Sequence, residues 1–476
     1  MTTDHFDIFV IGTGPGGYVA ALKAAQMGAK TAVAEKHHLG GTCLNYGCIP
    51  SKALLSSAEL LHSIQNARKW GITVGGEVGF DWPEVTKHKD KVIRQLRGGV
   101  ASLFKGRGVT QFAGHCSFAG AGRLVVTPSD GPARMVTAGN VIIGSGSVPI
   151  RIPGWPDDPA VVCTSDEAVH WTTLPKKLLI VGGGVIGCEF ACMMAAFGVS
   201  VTVVEMLPSL LPTLDQDLGK GLLAIFKARG IACYLDTKVE SVDLAGKGAA
   251  VKTRLSNGES LEFDRVLVAV GRRPNTDELE LNRVGIQTSK RGFIPVNDHL
   301  ETNVPGHYCI GDANGRCLLA HAASAHGVAA VENALGHAKP FQSPIPSAVY
   351  TFPEVAAVGL SEQEARDQGL PIAIGRFPIG HLGKAMAARH TDGFVKMIRH
   401  RETGQLLGAH MLGHNATECI AATTALLHQK ASMQDVAETV WAHPTISESI
   451  KESAEDALNM GLHLPPRKII RVPVGT

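Results

Sequence analysis

The sequence has no long hydrophobic run. Its most apolar stretch, residues 178–212, is interrupted by several glycines and by Glu189 and Glu205, whereas a helix that spans a bilayer needs about 20 consecutive apolar residues. This stretch instead predicts a strand, a turn, a helix and a second strand, and we expect no membrane partner. Residues 1–5 lead directly into the apolar run 6–11, so we expect no targeting segment.

The chain also lacks an excess of one charge. It has 45 Lys and Arg against 43 Asp and Glu, which gives no basis for binding nucleic acid or an anionic membrane surface. Only 10 of 476 residues are cysteine, at irregular spacing, unlike the disulfide framework of a small secreted protein. We therefore expect a soluble protein in a reducing, cytoplasmic setting. Eight cysteines are interpreted as small buried hydrophobic residues: Cys116, Cys163, Cys188, Cys192, Cys233, Cys309, Cys317 and Cys419.

Glycine, by contrast, is abundant, and a chain this long should form several domains because single cores rarely exceed about 250–300 residues. A glycine-rich turn follows the apolar segment 6–11, and a helix of small residues is predicted at 18–27. In this turn Gly12 permits a tight bend, Gly14 lets the backbone approach a pyrophosphate, and Gly17 lets the helix pack on the strand. The helix N-terminus would present its N–H groups to the phosphates.

The same pattern occurs a second time. Glu35 and Glu205 each end a predicted strand, 23 residues after the first glycine of their turns (12 to 35, 182 to 205). A carboxylate there can accept hydrogen bonds from an adenosine ribose, and no arginine follows Glu205 to receive a 2′-phosphate, which favours NAD over NADP. Two such sites indicate one tightly bound carrier and one exchangeable carrier, FAD and NAD. The second pattern comprises a strand at 178–181, Gly182, Gly184, Gly187, a helix at 188–197 and a strand at 201–205.

Three more short apolar segments, 141–144, 266–271 and 307–311, predict buried strands. Asp312 follows the last of them and can accept a hydrogen bond from a sugar-like hydroxyl of a flavin. The alternative is an ordinary aspartate that forms a turn.

Cys43 and Cys48 are the most informative pair. A zinc site needs about four ligands, and no second Cys or His pair has suitable spacing. In an ideal helix, residues five apart have Cα atoms about 8.7 Å apart, but a disulfide needs roughly 4.4–6.8 Å. A bridge would therefore distort its turn, which Asn45 and Gly47 would ease. Because distorted bridges are more reducible, we interpret the pair as redox-active rather than structural.

The segment 40–52 resembles the redox-disulfide signature of the flavoprotein disulfide reductases, and most closely that of members acting on dihydrolipoyl groups. Glutathione-type members usually carry Val and Lys where this chain has Ile49 and Ser51. The resemblance implies an α/β fold with two Rossmann-like dinucleotide-binding domains, a central domain and a C-terminal α+β dimerisation domain. The implied domains are FAD-binding 1–150, NAD-binding 151–280, central 281–350 and interface 351–476. Further similar motifs lie at 144–149, 271–275, 310–312 and 442–448.

The resemblance also implies roles for individual residues. Cys43 would be the interchange thiol that meets the substrate, and Cys48 the thiol against the flavin. Lys52 and Glu189 would form an ion pair beside the flavin N5 edge. Gly144, Gly271 and Ala320 would belong to the cofactor sites, the last through the backbone amides of 319–321.

His443 and Glu448 allow two interpretations. A dithiol must lose a proton to become nucleophilic, and an imidazole is suited to accept it near neutral pH. Pro444 restricts His443 to extended or turn geometry and favours a cis bond. Alternatively, residues 445–448 are a capping box for a helix that runs to about residue 460. The resemblance favours His443 as base and Glu448 as its orienting carboxylate, with the pair contributed by the partner subunit of a homodimer.

The implied reaction is oxidation of protein-bound dihydrolipoyl groups, with electrons passing through the Cys43–Cys48 disulfide and FAD to NAD⁺. The implied partners are the lipoyl domains and acyltransferase core of a 2-oxoacid dehydrogenase complex. Alternatives are another NAD(P)H-dependent disulfide reductase of the same fold and a non-catalytic flavin-binding subunit. Tyr46 and His326 depart from the usual pattern, and the tail 458–476 extends past the usual end. No metal site is expected.

Overall fold

The structure, a computed structural model, describes residues 4–244 and 250–465. The described chain forms two compact units. The first contains Met1–Leu178, Ser241–Thr253 and Leu261–Gln342, and the second contains Leu179–Glu240, Arg254–Ser260 and Ser343–Thr476. The four-domain division therefore stays a prediction. In the described part of the chain, no helix is both long and apolar enough to cross a membrane.

The first unit is built on a seven-stranded sheet. Its centre is the strand Asp4–Ile11, which pairs in parallel with Thr31–Glu35 on one side and with Arg134–Ile143 on the other. Phe9, on this strand, is fully buried, as expected for a parallel strand covered on both faces. The order of the sheet is Thr110–Ala113, Thr31–Glu35, Asp4–Ile11, Arg134–Ile143, Arg123–Thr127 and His115–Gly120, and His307–Cys309 also pairs with Arg134–Ile143.

Two helices of small residues, Pro15–Gln26 and Ala320–Ala334, pack against each other in this unit. A Cβ on Gly327 would meet the carbonyl oxygen of Gly16, so glycine is what allows the close approach. Its other helices are Gly41–Asn45, Cys48–Gln65, Trp82–Gly106 and Ser165–Ala168, with 3₁₀ turns at Ala67–Trp70, Leu281–Val284 and Gly311–Asn314. Its short strand pairs are Ser147–Pro149 with Arg272–Pro274 and Val162–Thr164 with Arg265–Val268.

The second unit begins with the strands Lys177–Val181, Ser200–Val204 and Ala232–Tyr234 and the helices Val185–Ala196 and Gln216–Ala228. Its C-terminal part is an antiparallel sheet in the order Ser347–Val349, Glu354–Gly359, Leu406–Gly413, Phe394–His400 and Ile372–Pro378. Helices Glu362–Asp367, Gly383–Ala387, Ala416–His428, Met433–Glu438 and Glu448–Ala457 and a 3₁₀ turn Ile379–His381 accompany that sheet. A separate small sheet contains Val239–Leu244, Val251–Leu255 and Ser260–Phe263.

The predicted elements exist, but several of their bounds were wrong. Both helices after the glycine turns begin three residues earlier than predicted, at Pro15 and at Val185. The reason is that Gly14 and Gly184 serve as N-caps, and proline is well suited to the first turn of a helix. The strands near residues 266 and 307 are shorter than predicted and end at Val268 and Cys309.

Candidate active site

The first glycine turn has the geometry of a dinucleotide cradle. Gly12 has a φ of +90°, and a Cβ there would collide with the backbone of Gly144. A Cβ on Gly17 would collide with the carbonyl oxygen of Gly12, whereas a Cβ on Gly14 would meet no protein atom within 4 Å. Two glycines are therefore required by packing, and the third faces open space at the N-terminus of helix Pro15–Gln26.

The second glycine turn repeats this arrangement. Gly182 has a φ of +110°, and a Cβ on Gly187 would collide with the carbonyl oxygen of Gly182. A Cβ on Gly184 would again meet nothing within 4 Å. The same backbone solution thus precedes helix Val185–Ala196 in the second unit, with open space where a pyrophosphate would approach.

The two acidic residues hold their own turns together. Glu35 accepts hydrogen bonds from the backbone N–H and the hydroxyl of Thr13, at 2.9 and 2.6 Å. Glu205 accepts the backbone N–H of Gly183 at 2.6 Å with one oxygen and that of Leu207 at 2.8 Å with the other. Because a carboxylate offers about four lone-pair sites, each remains able to accept a ribose hydroxyl as well. The sequence predicted a contact with ribose for both residues, but it did not predict these hydrogen bonds to their own turns.

Polar groups next to the first turn also fit a flavin nucleotide. The hydroxyl of Ser145 is buried without a hydrogen-bond partner in the described structure, as expected of a group whose partner is a ligand. Asp312 accepts the hydroxyl of Ser147 at 2.5 Å, and Arg272 donates to the same hydroxyl at 2.8 Å. Burial raises the pKa of Asp312, although the Ser147 hydrogen bond opposes the shift. From the sequence, only Gly144 of the motif 144–149 was assigned to a cofactor site, and Ser145 and Ser147 were missed because their roles depend on partners outside the motif.

Ala320 and Gly271 lie at backbone positions suited to a ligand. Ala320 is the first residue of helix Ala320–Ala334, whose N-cap residue Leu319 provides no side-chain cap, so first-turn N–H groups can face an anion or a carbonyl oxygen. Gly271 has a φ of +120°, and its carbonyl accepts the N–H of Ile150 at 3.0 Å. With the glycine turns and Ser145, these residues fit FAD and NAD, and their assignment to those cofactors stays a proposal.

The two cysteines lie against the first glycine turn. Cys43 is in the short helix Gly41–Asn45, and Cys48 begins the helix Cys48–Gln65. The segment is anchored by the N–H of Gly40, which donates to the carbonyl of Thr13 at 3.0 Å. A Cβ on Gly41 would collide with the Cα atom of Gly14. The thiol pair is therefore held beside the turn whose geometry fits the flavin pyrophosphate.

The structure holds both cysteines as thiols. A side-chain hydrogen bond to Cys48, followed by burial, raises the pKa of Cys43, and the nearby charge of Lys52 opposes this shift. This hydrogen bond favours the form in which Cys43 keeps its proton. Lys52 lies one turn after Cys48 on the same helix, where a positive charge favours a thiolate.

His443 and Glu448 form a hydrogen-bonded pair in the second unit. Nδ1 of His443 lies 2.8 Å from Oε1 of Glu448, and Oε2 of Glu448 accepts the N–H of Thr445 at 2.8 Å. Although partial burial opposes it, hydrogen bonds from Thr445 and His443 lower the pKa of Glu448. The side chain of His443 is 77% exposed, so Nε2 can face a substrate. The peptide bond to Pro444 is cis.

The capping box predicted at 445–448 was half right. Glu448 does bond the N–H of Thr445, but the hydroxyl of Thr445 donates to the carbonyl of Ala442 instead of capping the helix. The N-cap residue is Ser447, and the helix ends at Ala457 rather than near residue 460. Glu448 therefore both contacts the ring of His443 and accepts the backbone N–H of Thr445, because each of its two oxygens has a different partner.

Glu189, the other cysteines and possible metal ligands complete the residues considered in the sequence. Glu189 is buried on helix Val185–Ala196, and its Oε1 accepts the N–H of Tyr350 at 2.9 Å. Its ion pair with Lys52, and the approach of His443 to the cysteines, stay predictions. Five of the eight other cysteines are buried as expected, but Cys233, Cys317 and Cys419 are only half-buried. Within residues 4–244 and 250–465, no group of three or more His, Cys, Asp or Glu side chains is placed to hold a metal ion.

Comparison with known proteins matches this arrangement. The model of the pyridine nucleotide-disulphide oxidoreductases matches residues 6–327, and the model of their dimerisation domain matches residues 345–454. The chain is 40% identical over 473 residues to dihydrolipoyl dehydrogenase of Chlamydia muridarum, covering 98% of this chain and 99% of that protein. It is 40% identical over 458 residues to dihydrolipoyl dehydrogenase of Chlorobaculum tepidum, covering 95% and 97%. The crystal structure of LpdA from Mycobacterium tuberculosis aligns with a TM-score of 0.88 at 27% identity, covering 95% and 99%.

Proposed function

Because this chain belongs to the pyridine nucleotide-disulphide oxidoreductase family, we propose that it is a dihydrolipoyl dehydrogenase. It oxidises protein-bound dihydrolipoyl groups to lipoyl disulfide through Cys43 and Cys48, with FAD and NAD⁺ as its cofactors. The observation that carries this proposal is the hydrogen-bonded thiol pair seated on the first dinucleotide turn. The chain is 40% identical over nearly its full length to two dihydrolipoyl dehydrogenases, and this similarity supports a dihydrolipoyl group as the substrate.

The two glycine turns divide the cofactors between them. The turn at Gly12, with Glu35, Ser145 and Asp312, would hold FAD, and the turn at Gly182 with Glu205 would hold NAD⁺. When bound, FAD and NAD⁺ would supply the acceptors for the electron pair of the dithiol. The negative charge of Glu205 disfavours a 2′-phosphate and so selects NAD⁺ over NADP⁺.

The residues of the chain perform the thiol chemistry. Nε2 of His443 accepts a proton from one substrate thiol, while Glu448 holds the proton on Nδ1 and so fixes the tautomer. The substrate thiolate then attacks the sulfur of Cys43 in the disulfide form, and the bond to Cys48 breaks with its electron pair on Cys48. The second substrate thiol attacks the substrate sulfur now joined to Cys43, and the bond to Cys43 breaks with its electron pair on Cys43. Lipoyl disulfide leaves, and the proton of the second thiol passes to the sulfur of Cys43.

The dimerisation-domain match supports a homodimer, in which we assign His443 and Glu448 to the active site of the partner subunit. We further propose that its protein partners are the lipoyl domains and the acyltransferase core of a 2-oxoacid dehydrogenase complex, and that it works in the cytoplasm. The partners follow from the substrate, since a dihydrolipoyl group is presented to the enzyme on another protein.

A single assay separates this function from its alternatives. FAD-loaded protein is mixed with dihydrolipoamide and NAD⁺, and NADH absorbance is followed beside a Cys48→Ser variant. A Cys233→Ser variant, which alters a half-buried cysteine outside the pair, is the matched control. NADH formation that only Cys48→Ser abolishes supports the proposal.

Failure of intact, FAD-loaded protein to form NADH would overturn it. A panel of other disulfides with NADH and NADPH then tests the alternative reductases of this fold. A flavin that neither nucleotide reduces would indicate a non-catalytic flavin-binding subunit.

A further inference from the structure

The turn between the two cysteines is held by residues distant in sequence. We define the redox turn as residues 43–48. Asn45, at its centre, is fully buried, and its amide Nδ2 donates to the carbonyls of Leu39 and Gly41 at 3.1 and 2.7 Å. Its Oδ1 accepts a hydrogen bond from Nε of Arg97, on helix Trp82–Gly106. Both N–H donors and the oxygen of this amide group thus have fixed partners.

A second side chain, His170, lies against the same turn. Its ring meets the ring of Tyr46 edge to face, with centroids 5.8 Å apart, and although burial lowers its pKa, interaction with the backbone of Asn45 acts to raise that pKa. Aromatic pairs in this geometry attract each other. His170 therefore contacts two consecutive residues of the redox turn.

Lys89 fixes which nitrogen of His170 carries the proton. Its Nζ, 2% exposed, donates to the carbonyl of Val169 at 3.0 Å and lies 3.3 Å from Nδ1 of His170. An ammonium group can only donate, so Nδ1 must accept, and Nε2 must carry the proton of the neutral ring. Burial, then the charge of Lys89, lowers the pKa of His170, which agrees with a neutral ring.

We propose that Arg97 and His170 are positioning residues that hold Cys43 and Cys48 at the separation from which their disulfide forms. Neither touches a reacting sulfur in the described contacts. These contacts matter most in the dithiol form. When they are removed, the redox turn of the dithiol form gains conformational freedom, whereas the redox turn of the disulfide form stays constrained by the covalent bond between its cysteines. The contacts thus favour the disulfide over the dithiol.

The consequence is measurable as an equilibrium. The exchange converts the Cys43–Cys48 disulfide and one reduced dithiothreitol into two cysteine thiols and one oxidised dithiothreitol, with two electrons and two protons transferred. Since one hydrogen bond or one aromatic contact shifts such equilibria by about 2- to 10-fold, Arg97→Met and His170→Leu should each shift this one toward the cysteine thiols by about that factor.

The experiment uses FAD-loaded protein equilibrated without oxygen in mixtures of reduced and oxidised dithiothreitol. Thiols are trapped by alkylation, and the Cys43–Cys48 peptide is quantified by mass spectrometry. Arg94→Met and His88→Leu, which alter exposed residues of the same helix as Arg97, are the matched controls. Arg97→Lys retains a donor and His170→Phe retains an aromatic ring, so each should recover part of the shift.

An unchanged equilibrium in Arg97→Met and His170→Leu overturns the proposal, as does a fall in melting temperature with no shift in the equilibrium. This inference rests on the proposed function only for the identity of the redox pair, because dithiothreitol replaces the lipoyl substrate. A protein that fails to oxidise dihydrolipoamide but shows the shift would lose the proposed substrate and keep its positioning residues.

Discussion

The carboxylate of Glu448 joins the imidazole of His443 to the backbone that carries it. One oxygen lies 2.8 Å from Nδ1 of His443, and the other accepts the N–H of Thr445 at 2.8 Å. The ring is thereby fixed relative to the start of helix Glu448–Ala457, and the exposed Nε2 is the nitrogen left for a substrate proton.

We expect His443→Gln to lower kcat for dihydrolipoamide oxidation by about 100- to 10,000-fold, the usual contribution of a general base. Glu448→Gln should lower kcat less, because it removes the orienting charge but keeps the base. Steady-state kinetics with NAD⁺ measure both, with Glu418→Gln, an exposed carboxyl on another helix, as control. Wild-type kcat in His443→Gln would exclude this histidine as the base.

The glycine turns give a matched pair of substitutions. Gly14→Ala and Gly184→Ala each add a methyl group that meets no protein atom within 4 Å, so both variants should fold normally. Gly14→Ala should retain less FAD after purification, and Gly184→Ala should keep FAD but raise KM for NAD⁺, because each methyl group occupies the approach of one pyrophosphate. Flavin absorbance per chain and KM separate the two effects.

Gly17→Ala is the contrasting case for this experiment. Its Cβ would collide with the carbonyl oxygen of Gly12, so the fold itself should be destabilised, with a lower melting temperature. Equal FAD loss in Gly14→Ala and Gly184→Ala would contradict the division of cofactors between the turns.

Glu205→Gln should weaken the preference for NAD⁺ over NADP⁺ by about tenfold, because a 2′-phosphate would no longer face a carboxylate at close range. The ratio of kcat/KM for the two nucleotides measures the preference. Glu240→Gln, an exposed carboxyl of the same unit, should leave the ratio unchanged. If the ratio in Glu205→Gln stays at the wild-type value, Glu205 does not discriminate between the two nucleotides and only accepts the backbone N–H groups of Gly183 and Leu207.

A buried lysine in the second unit supports stability rather than chemistry. Nζ of Lys396, 3% exposed, lies 3.0 Å from Asp215, 3.0 Å from Asp217 and 2.7 Å from Glu362. Lys396→Met leaves the buried Asp215 without this cation, whereas Asp217 keeps Arg376 and Glu362 keeps Arg366, and it should lower the free energy of unfolding by about 3–5 kcal/mol at pH 7. Urea unfolding measures this loss, with the exposed Lys220→Met as control.

The same cluster predicts a pH window. Although burial opposes both shifts, hydrogen bonds including those from Lys396 lower the pKa of Asp215 and of Glu362, so their stabilisation is present above their unfolded pKa and is lost as the pH falls through the lower folded pKa. Burial also opposes the shift of Lys396, but its carboxylate partners raise its pKa, so its contribution is lost only at strongly alkaline pH. The Lys396→Met penalty should therefore shrink below about pH 4; an equal penalty at pH 3 and pH 7 would contradict this reading.

Local sequence was sufficient for the parts of this protein that depend on neighbouring residues. The spacing of Gly12, Gly14 and Gly17 predicts a dinucleotide turn because Gly17 packs on the carbonyl of Gly12 within the same turn, while Gly14 leaves the N-terminus of the helix open. Helix starts were less well predicted, since an N-cap glycine has no side chain to signal that the helix begins at Pro15.

By itself, then, the sequence determined the two dinucleotide turns, the acids that end their strands and the reactive cysteine pair. Only the tertiary structure decided that Asp312 accepts the hydroxyl of Ser147, 165 positions away, and that Arg97 bonds Asn45 and His170 contacts Tyr46 between the cysteines. The reason is physical: turn geometry is set by neighbouring backbone, whereas the partner of a side-chain donor depends on which distant segments the folded core brings together.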